Sequence, residues 1–258
     1  MPNLVEGESV MVCAVRLIEK PDLRDPVLVE GLPGIGLVAN IAVAYLIQKL
    51  KAKLFAEIRC PSFPDVSVTG KEGTLKSPFT ELYYHKGNGK DERDLILLYG
   101  NTQALTRRGQ YELCGRILDI AEGFGCRCVI TLGGYRPGRQ VTGPNLYYAA
   151  SDLEMAQVAA GLGATILGGQ IFGIAGLLVG LAGLRGMKGF CLLAETDGTH
   201  PDREAAMAVL KAISGVLGLR VDYEDLARAE ELADFLSPFD FGALAQKPKK
   251  ETKPDWFI

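Results

Sequence analysis

Two short segments of this chain are apolar on both faces, and they restrict its possible folds more than any other feature. They are residues 94–100 (DLILLYG) and 127–133 (RCVITLG), with an amphipathic helical pattern between them. Strands that are apolar on both faces are typical of parallel sheets covered by helices on either side. Short strands alternate with helices along the rest of the chain too. This predicts an α/β protein, a three-layer α/β/α sandwich with a mostly parallel sheet.

The other elements follow from hydrophobic periodicity and from the positions of proline, glycine and aspartate. Further strands are predicted at residues 10–18, 27–30, 53–60, 81–85, 146–150 and 189–195, and helices at residues 35–50, 107–124, 152–160, 172–184, 201–217 and 222–236. Residues 61–78 are predicted to be irregular or a loose hairpin. The composition changes at residue 242. We therefore predict a single α/β domain at residues 1–241 and a flexible tail at residues 242–258.

The overall composition excludes several classes of protein. The formal net charge of −3 provides no basic surface for nucleic acid. The longest strongly apolar stretch, residues 171–184, is shorter than the about 20 residues that a membrane helix needs. The first ten residues lack the basic start and apolar run of a secretory leader. These observations predict a cytoplasmic protein that binds neither nucleic acid nor a membrane.

The six cysteines and two histidines include no C-x-x-C pair. A structural metal site needs four convergent ligands, usually in closely spaced pairs. We therefore expect no metal and no cofactor. The cysteines are interpreted as free buried thiols in a reducing compartment.

Two of the predicted helices bear on assembly. The helix at residues 35–50 is apolar nearly all round, so it must be buried on two sides, either by its own chain or by another subunit. In the helix at residues 172–184, four glycines line one face: Gly173, Gly176, Gly180 and Gly183. We interpret that smooth face as a close contact with the sheet, with an oligomer interface as the alternative.

A glycine-rich turn follows the strand at residues 27–30. Its spacing is G-x-x-G-x-G, with Gly34 and Gly36 at the start of a helix. Backbone N–H groups in such a turn can hold a phosphate. The spacing differs from the dinucleotide and P-loop patterns, and Pro33 removes one donor. We favour a tight strand-to-helix turn over a nucleotide site.

Two other strand ends carry polar side chains, where ligands of open α/β sheets bind. Arg136 and Arg139 follow one strand and could clamp an anion, although a solvated loop explains them as well. Glu195 begins the segment ETDGTHPD at the end of another. That segment resembles an acid/base site, but we favour a helix start that is capped by Thr199 or His200. No strong catalytic motif is present, so we expect no enzyme activity.

The chain ends in Trp256, Phe257 and Ile258, after a run of lysines and prolines. Large apolar side chains are normally buried, whereas chain ends are normally frayed. These three residues therefore either fold back onto the domain or bind a pocket on another protein.

Several ordered motifs resemble the proteasome-assembling chaperone family. They are LVEGLPGIGLVAN (residues 28–40), GNTQ (100–103), LGGY (132–135), GGQIFGIAGLLVGLAG (168–183) and LLAETDGTHPDREAAMAVL (192–210). The resemblance implies a fold similar to that of the purine nucleoside phosphorylases and a homo-oligomer. It also implies binding to proteasome α-subunits and no established catalytic activity.

The resemblance also suggests a role for the tail. Proteasome activators and assembly factors commonly end in hydrophobic–tyrosine–any residue, which enters pockets between α-subunits. Here Trp256 would be the hydrophobic residue, Phe257 would replace the tyrosine and Ile258 would be last. Phenylalanine keeps the ring but loses the hydroxyl, which affects gate opening more than docking. Whether the protein assembles or activates proteasomes is left open.

An alternative function is a nucleoside phosphorylase- or hydrolase-like enzyme, or a small-anion-binding protein, on the same fold. Arg136 and Arg139 would hold phosphate, and Glu195 or Asp197 would contact ribose or base. Gly34 and Gly36 would add backbone donors.

Overall fold

A nine-stranded mixed sheet organises the molecule, and the segments that are apolar on both faces lie at its centre. The structure is a computed structural model, which describes residues 12–69, 73–88, 91–220, 222 and 226. The strands are β1 (Ala14–Leu17), β2 (Val27–Gly31), β3 (Lys53–Arg59), β4 (Val68–Thr69), β5 (Leu75–Lys76), β6 (Thr80–His85), β7 (Leu95–Gly100), β8 (Cys128–Tyr135), β9 (Leu146–Ala150), β10 (Thr165–Ile166) and β11 (Lys188–Glu195). The helices are α1 (Val38–Lys49), α2 (Arg107–Gly123), α3 (Leu153–Gly161), α4 (Ile174–Leu184) and α5 (Arg203–Leu217).

The strand order is β1-β3-β6-β7-β2-β8-β11-β9-β10. The four central strands, β7, β2, β8 and β11, are mutually parallel. On one flank β1, β3, β6 and β7 pair antiparallel, because the described residues between β3 and β7 include no helix that could carry the chain back across the sheet. The predicted α/β sandwich is confirmed, with its parallel pairing concentrated at the centre. The likeness to purine nucleoside phosphorylases stays a prediction.

Helices cover both faces of the sheet. One apolar core lies between the sheet and α1, α3 and α5, and a second lies between the sheet and α2 and α4. Helix α1 is buried along most of its length, and α5 of the same chain contacts it. The second buried side of this helix therefore faces the protein's own chain.

Helix α4 contradicts the prediction that its glycines contact the sheet. The side chains that reach the core are Ile174, Leu178 and Ala182, whereas Gly180 and Gly183 are exposed. The reason is that large apolar side chains lose much more water-accessible area on burial than glycine does. The glycine face is turned outward.

The expectation of six free cysteines is also wrong. Strand β1 pairs with β3 so that Ala14 lies opposite Arg59, and this register places Cys13 beside Cys60. These two cysteines form a disulfide. The cysteines at 114, 126 and 191 are free and buried, and Cys128 is free and half-buried.

Neither Thr199 nor His200 caps α5. The cap is Asp202, whose Oδ1 accepts a hydrogen bond from Ala205 N at 2.9 Å. Carboxylates are better caps than a histidine because they accept from the free N–H groups of the first turn. The helix predicted at residues 222–236 lies outside the described residues except for 222 and 226, and the tail at residues 242–258 lies outside them entirely.

Within the described ranges, every helix is too short or too polar to cross a membrane.

Candidate functional site

The carboxyl ends of the four central strands lie along one edge of the sheet, where ligands of α/β proteins usually bind. The loops that leave these ends begin at Leu32, Asn101, Arg136 and Thr196. Each loop carries one of the polar segments singled out from the sequence.

Two of these loops are locked to each other by amide side chains. Asn40 Nδ2 donates to the carbonyl oxygens of Gly31 at 2.9 Å and of Gly100 at 2.8 Å. Gln103 Nε2 donates to the carbonyl oxygen of Pro33 at 2.6 Å. The segments LVEGLPGIGLVAN and GNTQ therefore form one hydrogen-bonded junction between β2 and β7. This arrangement makes a rigid edge, and it uses polar groups that a ligand would otherwise contact.

The glycine-rich turn is tightly fitted against the ETDGTHPD loop. Gly36 has φ +62°, and a Cβ atom there would lie 2.8 Å from Thr196 Oγ1. Its carbonyl oxygen accepts from Asp202 N at 2.8 Å. A residue other than glycine is excluded by both the backbone conformation and the space. At Gly34, by contrast, an added Cβ would meet no described atom within 4 Å.

Glu195 is buried at the end of β11 and both of its carboxylate oxygens are hydrogen-bonded. Oε1 accepts from Arg139 Nη2 at 2.5 Å and from Tyr147 Oη at 2.6 Å, and Oε2 accepts from Asn145 Nδ2 at 3.0 Å. Burial alone would raise the pKa of Glu195, but the hydrogen bonds from Tyr147 and Asn145 and the charge of Arg139 hold that pKa below its usual range. The carboxylate is thus ionised, and it ties β9 and the loop after β8 to β11.

The two arginines border a depression of about 350 Å³, which is open to solvent and lined by Arg136, Pro137, Arg139, Gln140, Val141 and Asp197. Arg136 Nε donates to the carbonyl oxygen of Asp197 at 2.6 Å. Arg139 divides its donors between Glu195 and the carbonyl oxygen of Gln140. Each guanidinium is anchored on one side and keeps further N–H groups for a ligand.

The structure therefore brings the sequence-derived candidates to one edge. Arg136, Arg139 and Glu195 form one cluster, and Gly36 contacts the residue that follows Glu195. Gly34 precedes it in the same turn. The tail residues Trp256, Phe257 and Ile258 lie outside the described residues.

Sequence reasoning missed two partners of Glu195, namely Asn145 and Tyr147. They come from the opposite side of the cluster: Tyr147 lies on β9, which pairs antiparallel with β11, and Asn145 immediately precedes β9. The only sequence signal for them was Asn145 itself, a polar residue just before a short predicted strand. Within the described residues, no group of three or more His, Cys, Asp or Glu side chains is placed to hold a metal ion.

Glu30 was also missed, although it is an acid inside the apolar strand β2. It is 1% exposed, and burial raises its pKa to about 8 against the opposing effect of backbone hydrogen bonds from Leu32 and Leu132. Its Oε1 accepts from Leu32 N at 2.7 Å. Its Oε2 has no hydrogen-bond partner in the part of the chain that the structure describes.

Comparison with known proteins gives a consistent picture. Residues 28–235 match the model of the PAC2 family. An uncharacterised protein of Methanocaldococcus jannaschii is 34% identical over 217 residues, which are 83% of each chain. The crystal structure of Pyrococcus furiosus PbaB, described as an archaeal proteasome activator, is similar with a TM-score of 0.78 and 37% identity, over 86% of this chain and 95% of PbaB.

A second solved structure, Pyrococcus furiosus PbaA, is described as an archaeal homolog of proteasome-assembly chaperone. It matches with a TM-score of 0.69 and 27% identity, over 86% of this chain and 93% of PbaA. The family match covers most of the described domain, including every loop of the carboxyl edge. This chain is a member of the PAC2 family.

Proposed function

We propose that this protein is a non-enzymatic, cytoplasmic homo-oligomer that binds proteasome α-subunits, as an assembly chaperone or an activator, and that it docks through Trp256, Phe257 and Ile258. One observation carries the proposal: the described domain matches PbaB, described as a proteasome activator, along 95% of the length of that protein. The hydrogen-bonded carboxyl edge agrees with a non-enzymatic role, because both carboxylate oxygens of Glu195 already accept hydrogen bonds from side chains of the same chain.

The tail has suitable physical properties for such docking. The sixteen steps from residue 242 to residue 258 correspond to an average span of about 20–24 Å for a flexible chain. Burial of three large apolar side chains stabilises the bound state by roughly 5–8 kcal/mol before the entropy cost of binding is subtracted. Ordering of the tail and loss of translational freedom offset much of that gain. A single tail therefore binds weakly, and an oligomer that presents several tails binds tightly.

The charge of the tail supports the same mode of binding. It carries four lysines before the apolar residues: Lys247, Lys249, Lys250 and Lys253. Such a cationic segment is steered toward an acidic surface, and the effect weakens as salt is added.

Removal of residues 256–258 tests the docking proposal. We expect the truncated protein to keep its oligomeric mass and to lose at least about 100-fold in affinity for proteasome α-rings, because the anchoring side chains of every tail are gone. Sedimentation or surface plasmon resonance with purified α-rings measures the affinity.

A matched control is Phe257→Tyr, which restores the ring hydroxyl and should bind at least as tightly as the natural chain. A second control, Lys249→Ala with Lys250→Ala, should mainly reduce the salt dependence of binding. Unchanged affinity of the truncated protein would exclude the tail as the docking element.

A second candidate function is the binding of a small anion at Arg136 and Arg139. The observation that favours it is the depression of about 350 Å³ to which both arginines contribute. Inorganic phosphate should then raise the melting temperature of the natural protein but not of the Arg136→Ala variant. Arg136 is the better test position because it is exposed and does not contact Glu195. Equal response of the two proteins to phosphate would rule the site out.

A further inference from the structure

The face of α1 that points away from the sheet is buried, although the sheet cannot cover it. Val43 marks the sheet side, because a Cβ atom built at Gly31 of β2 would lie 2.3 Å from Val43 Cβ. Each residue turns an α-helix by about 100°, so Ile41 and Tyr45 lie on the opposite side, the outer face of α1. Ile41 is nevertheless 0% exposed and Tyr45 is 1% exposed. Another part of the chain must therefore lie over this outer face.

The described helices and strands do not account for this burial. Among them, α1 has its main contacts with β2, β7, β8 and α5. Helix α5 itself packs on β11, so it lies beside α1 in the same layer. A helix in the same layer covers the flank of its neighbour and leaves open the side opposite the sheet. The cover over the outer face of α1 therefore comes from another segment.

The chain reaches this face directly after α5. Asp222 lies five residues beyond Leu217, the last residue of α5, and its Oδ2 is 2.7 Å from Lys49 Nζ at the end of α1. Leu226 has a helical backbone and is 1% exposed. It belongs to the same apolar core as Ile41 and Tyr45. The segment after α5 thus passes the end of α1 and begins to bury apolar side chains there.

The sequence that follows has one apolar stripe. Its members recur at spacings of three, four and three residues, which places them on one side of a helix. They are Leu226, Ala229, Ala233 and Leu236. The other side carries the charged residues Glu224, Arg228 and Glu231. Pro238 limits the pattern, because the residue before a proline is disfavoured in a helix.

We propose that residues 223–236 form a helix that lies over α1 and α5 on their side away from the sheet, and that this helix delivers the tail to the carboxyl edge of the sheet. Most of this segment lies outside the described residues. It is the occupant because it is continuous with Asp222 and Leu226, which already lie at the end of α1.

The extent of burial along α1 gives the direction of this helix. Val38, also on the outer face, is 0% exposed and lies about 16 Å along the helix axis from Lys49. The cover therefore starts beside Lys49 and continues to the beginning of α1. The ten steps from Leu226 to Leu236 span about 15 Å, which matches that distance. The helix accordingly runs antiparallel to α1.

This direction sets the place where the tail starts. Helices α1 and α5 both begin near the carboxyl edge, because β2 and β11 precede them. A helix that runs antiparallel to α1 therefore ends at that edge, and residue 242 follows it closely. This part rests on the proposed docking function and deepens it. A tail with an average span of about 20–24 Å would hold a proteasome α-ring near the carboxyl edge of the sheet.

Photocross-linking tests the position and the direction of the helix. With p-benzoylphenylalanine in place of Leu236, we expect cross-links to residues 37–41 or 202–207, at the beginnings of α1 and α5. The same probe in place of Tyr223 is the matched control. It should cross-link near Lys49, because the neighbouring Asp222 binds there. Mass spectrometry of the digested protein locates the products.

The outcomes separate the alternatives. A Leu236 probe that reacts at the same end as the Tyr223 probe, or that gives no product when the Tyr223 probe does, would overturn the proposal. A product with the mass of two chains would mean that the segment of a second copy covers α1, and would overturn it as well. The expected result is a product with the mass of one chain.

A pair of substitutions tests which side of the helix is buried. Ala233→Glu places a carboxylate in the apolar stripe and should raise the unfolding equilibrium constant at least about 30-fold. Ala227→Glu is the matched control, because Ala227 lies about 140° from the middle of the stripe. It should change that constant by less than about threefold. Urea unfolding measures both, and equal effects would contradict the proposed orientation.

These tests need no α-rings, so they are independent of docking. If the cross-links fall as expected but removal of residues 256–258 leaves the affinity for α-rings unchanged, the docking proposal fails and the helix is supported. If the Leu236 probe reacts at the wrong end while that truncation abolishes binding, the tail docks from another point and this inference fails.

Discussion

Replacement of Glu30 by glutamine should raise the free energy of unfolding at pH 7 by about 3 kcal/mol. The cause is the position of this acid, which is buried in β2 with Oε2 unpartnered among the described residues. Burial raises its folded-state pKa to about 8, from the ordinary value of 4.5 for a glutamate. At pH 7 the folded protein must therefore keep a proton that the unfolded chain has released, and that difference destabilises the fold.

The sign of the pH dependence follows from the same values. Between about pH 4.5 and about pH 8 the folded state binds one more proton at Glu30 than the unfolded state, so stability falls by about 1.4 kcal/mol per pH unit. Glu30 is neutral in both states below its unfolded-state pKa, so the fold then has its full stability. That stability is lost progressively as the pH rises, and the loss is complete above the folded-state pKa of Glu30. The thiols of Cys114 and Cys191 interact with Glu30, but burial raises the pKa of each to about 12, so both stay neutral in this range.

Urea unfolding at a series of pH values checks this prediction. Glu30→Gln and the natural chain should have similar stability near pH 4.5 and should diverge as the pH rises. Glu30→Leu is the control: it is also uncharged, so it should share the flatter pH dependence, but it loses the hydrogen bond from Leu32 N and should be less stable than Glu30→Gln. A glutamine variant with the same pH slope as the natural chain would contradict the account.

Loss of the Cys13–Cys60 disulfide should lower the free energy of unfolding by about 4 kcal/mol. The bond links residues 47 apart in sequence, and its removal restores chain entropy to the unfolded state. It also holds the edge strand β1, whose residues are all exposed and which, among the described strands, pairs with β3 alone. Few other contacts fix this strand, so the sheet edge should be the first part to open.

The double variant Cys13→Ala with Cys60→Ala, compared with the natural chain by chemical unfolding without reductant, measures this effect. Hydrogen exchange should show faster exchange in β1 than in β2 of the variant. Cys128→Ala, which removes a free half-buried thiol, is the control and should cost far less. Equal stability of the natural chain and the double variant would show that the disulfide does not form.

The central strands and most helices could be predicted because their signals are local. The segment DLILLYG is apolar at almost every position, and β7 covers Leu95–Gly100, one residue from the prediction. Strand β10 escaped prediction because it has two residues and lies at the sheet edge, where little burial shapes its sequence. The partners of Cys13 and the orientation of the α4 glycines depend on strand order and on the packing of other elements, which periodicity does not contain.

The candidate site, too, could be predicted from the sequence only in part. Arg136, Arg139 and Glu195 stand at strand ends, and the parallel topology accounts for their meeting. Asn145 and Tyr147 join them only because β9 runs antiparallel beside β11, a pairing that no short motif indicates. Asp202 rather than Thr199 caps α5 because the helix starts at Arg203, after Pro201, and boundaries shift by a residue or two.

The most direct test of docking through the tail uses Trp256, the one tryptophan of the chain. Its emission is recorded with and without proteasome α-rings, and the signal of the protein that lacks residues 256–258 is subtracted to remove the fluorescence of the rings. We predict a red-shifted, water-exposed emission for the isolated protein and a saturable blue shift on adding α-rings, as the indole enters an apolar pocket. An emission that is already blue-shifted in isolation and does not change with α-rings would mean that the tail folds onto its own domain, and would contradict the account.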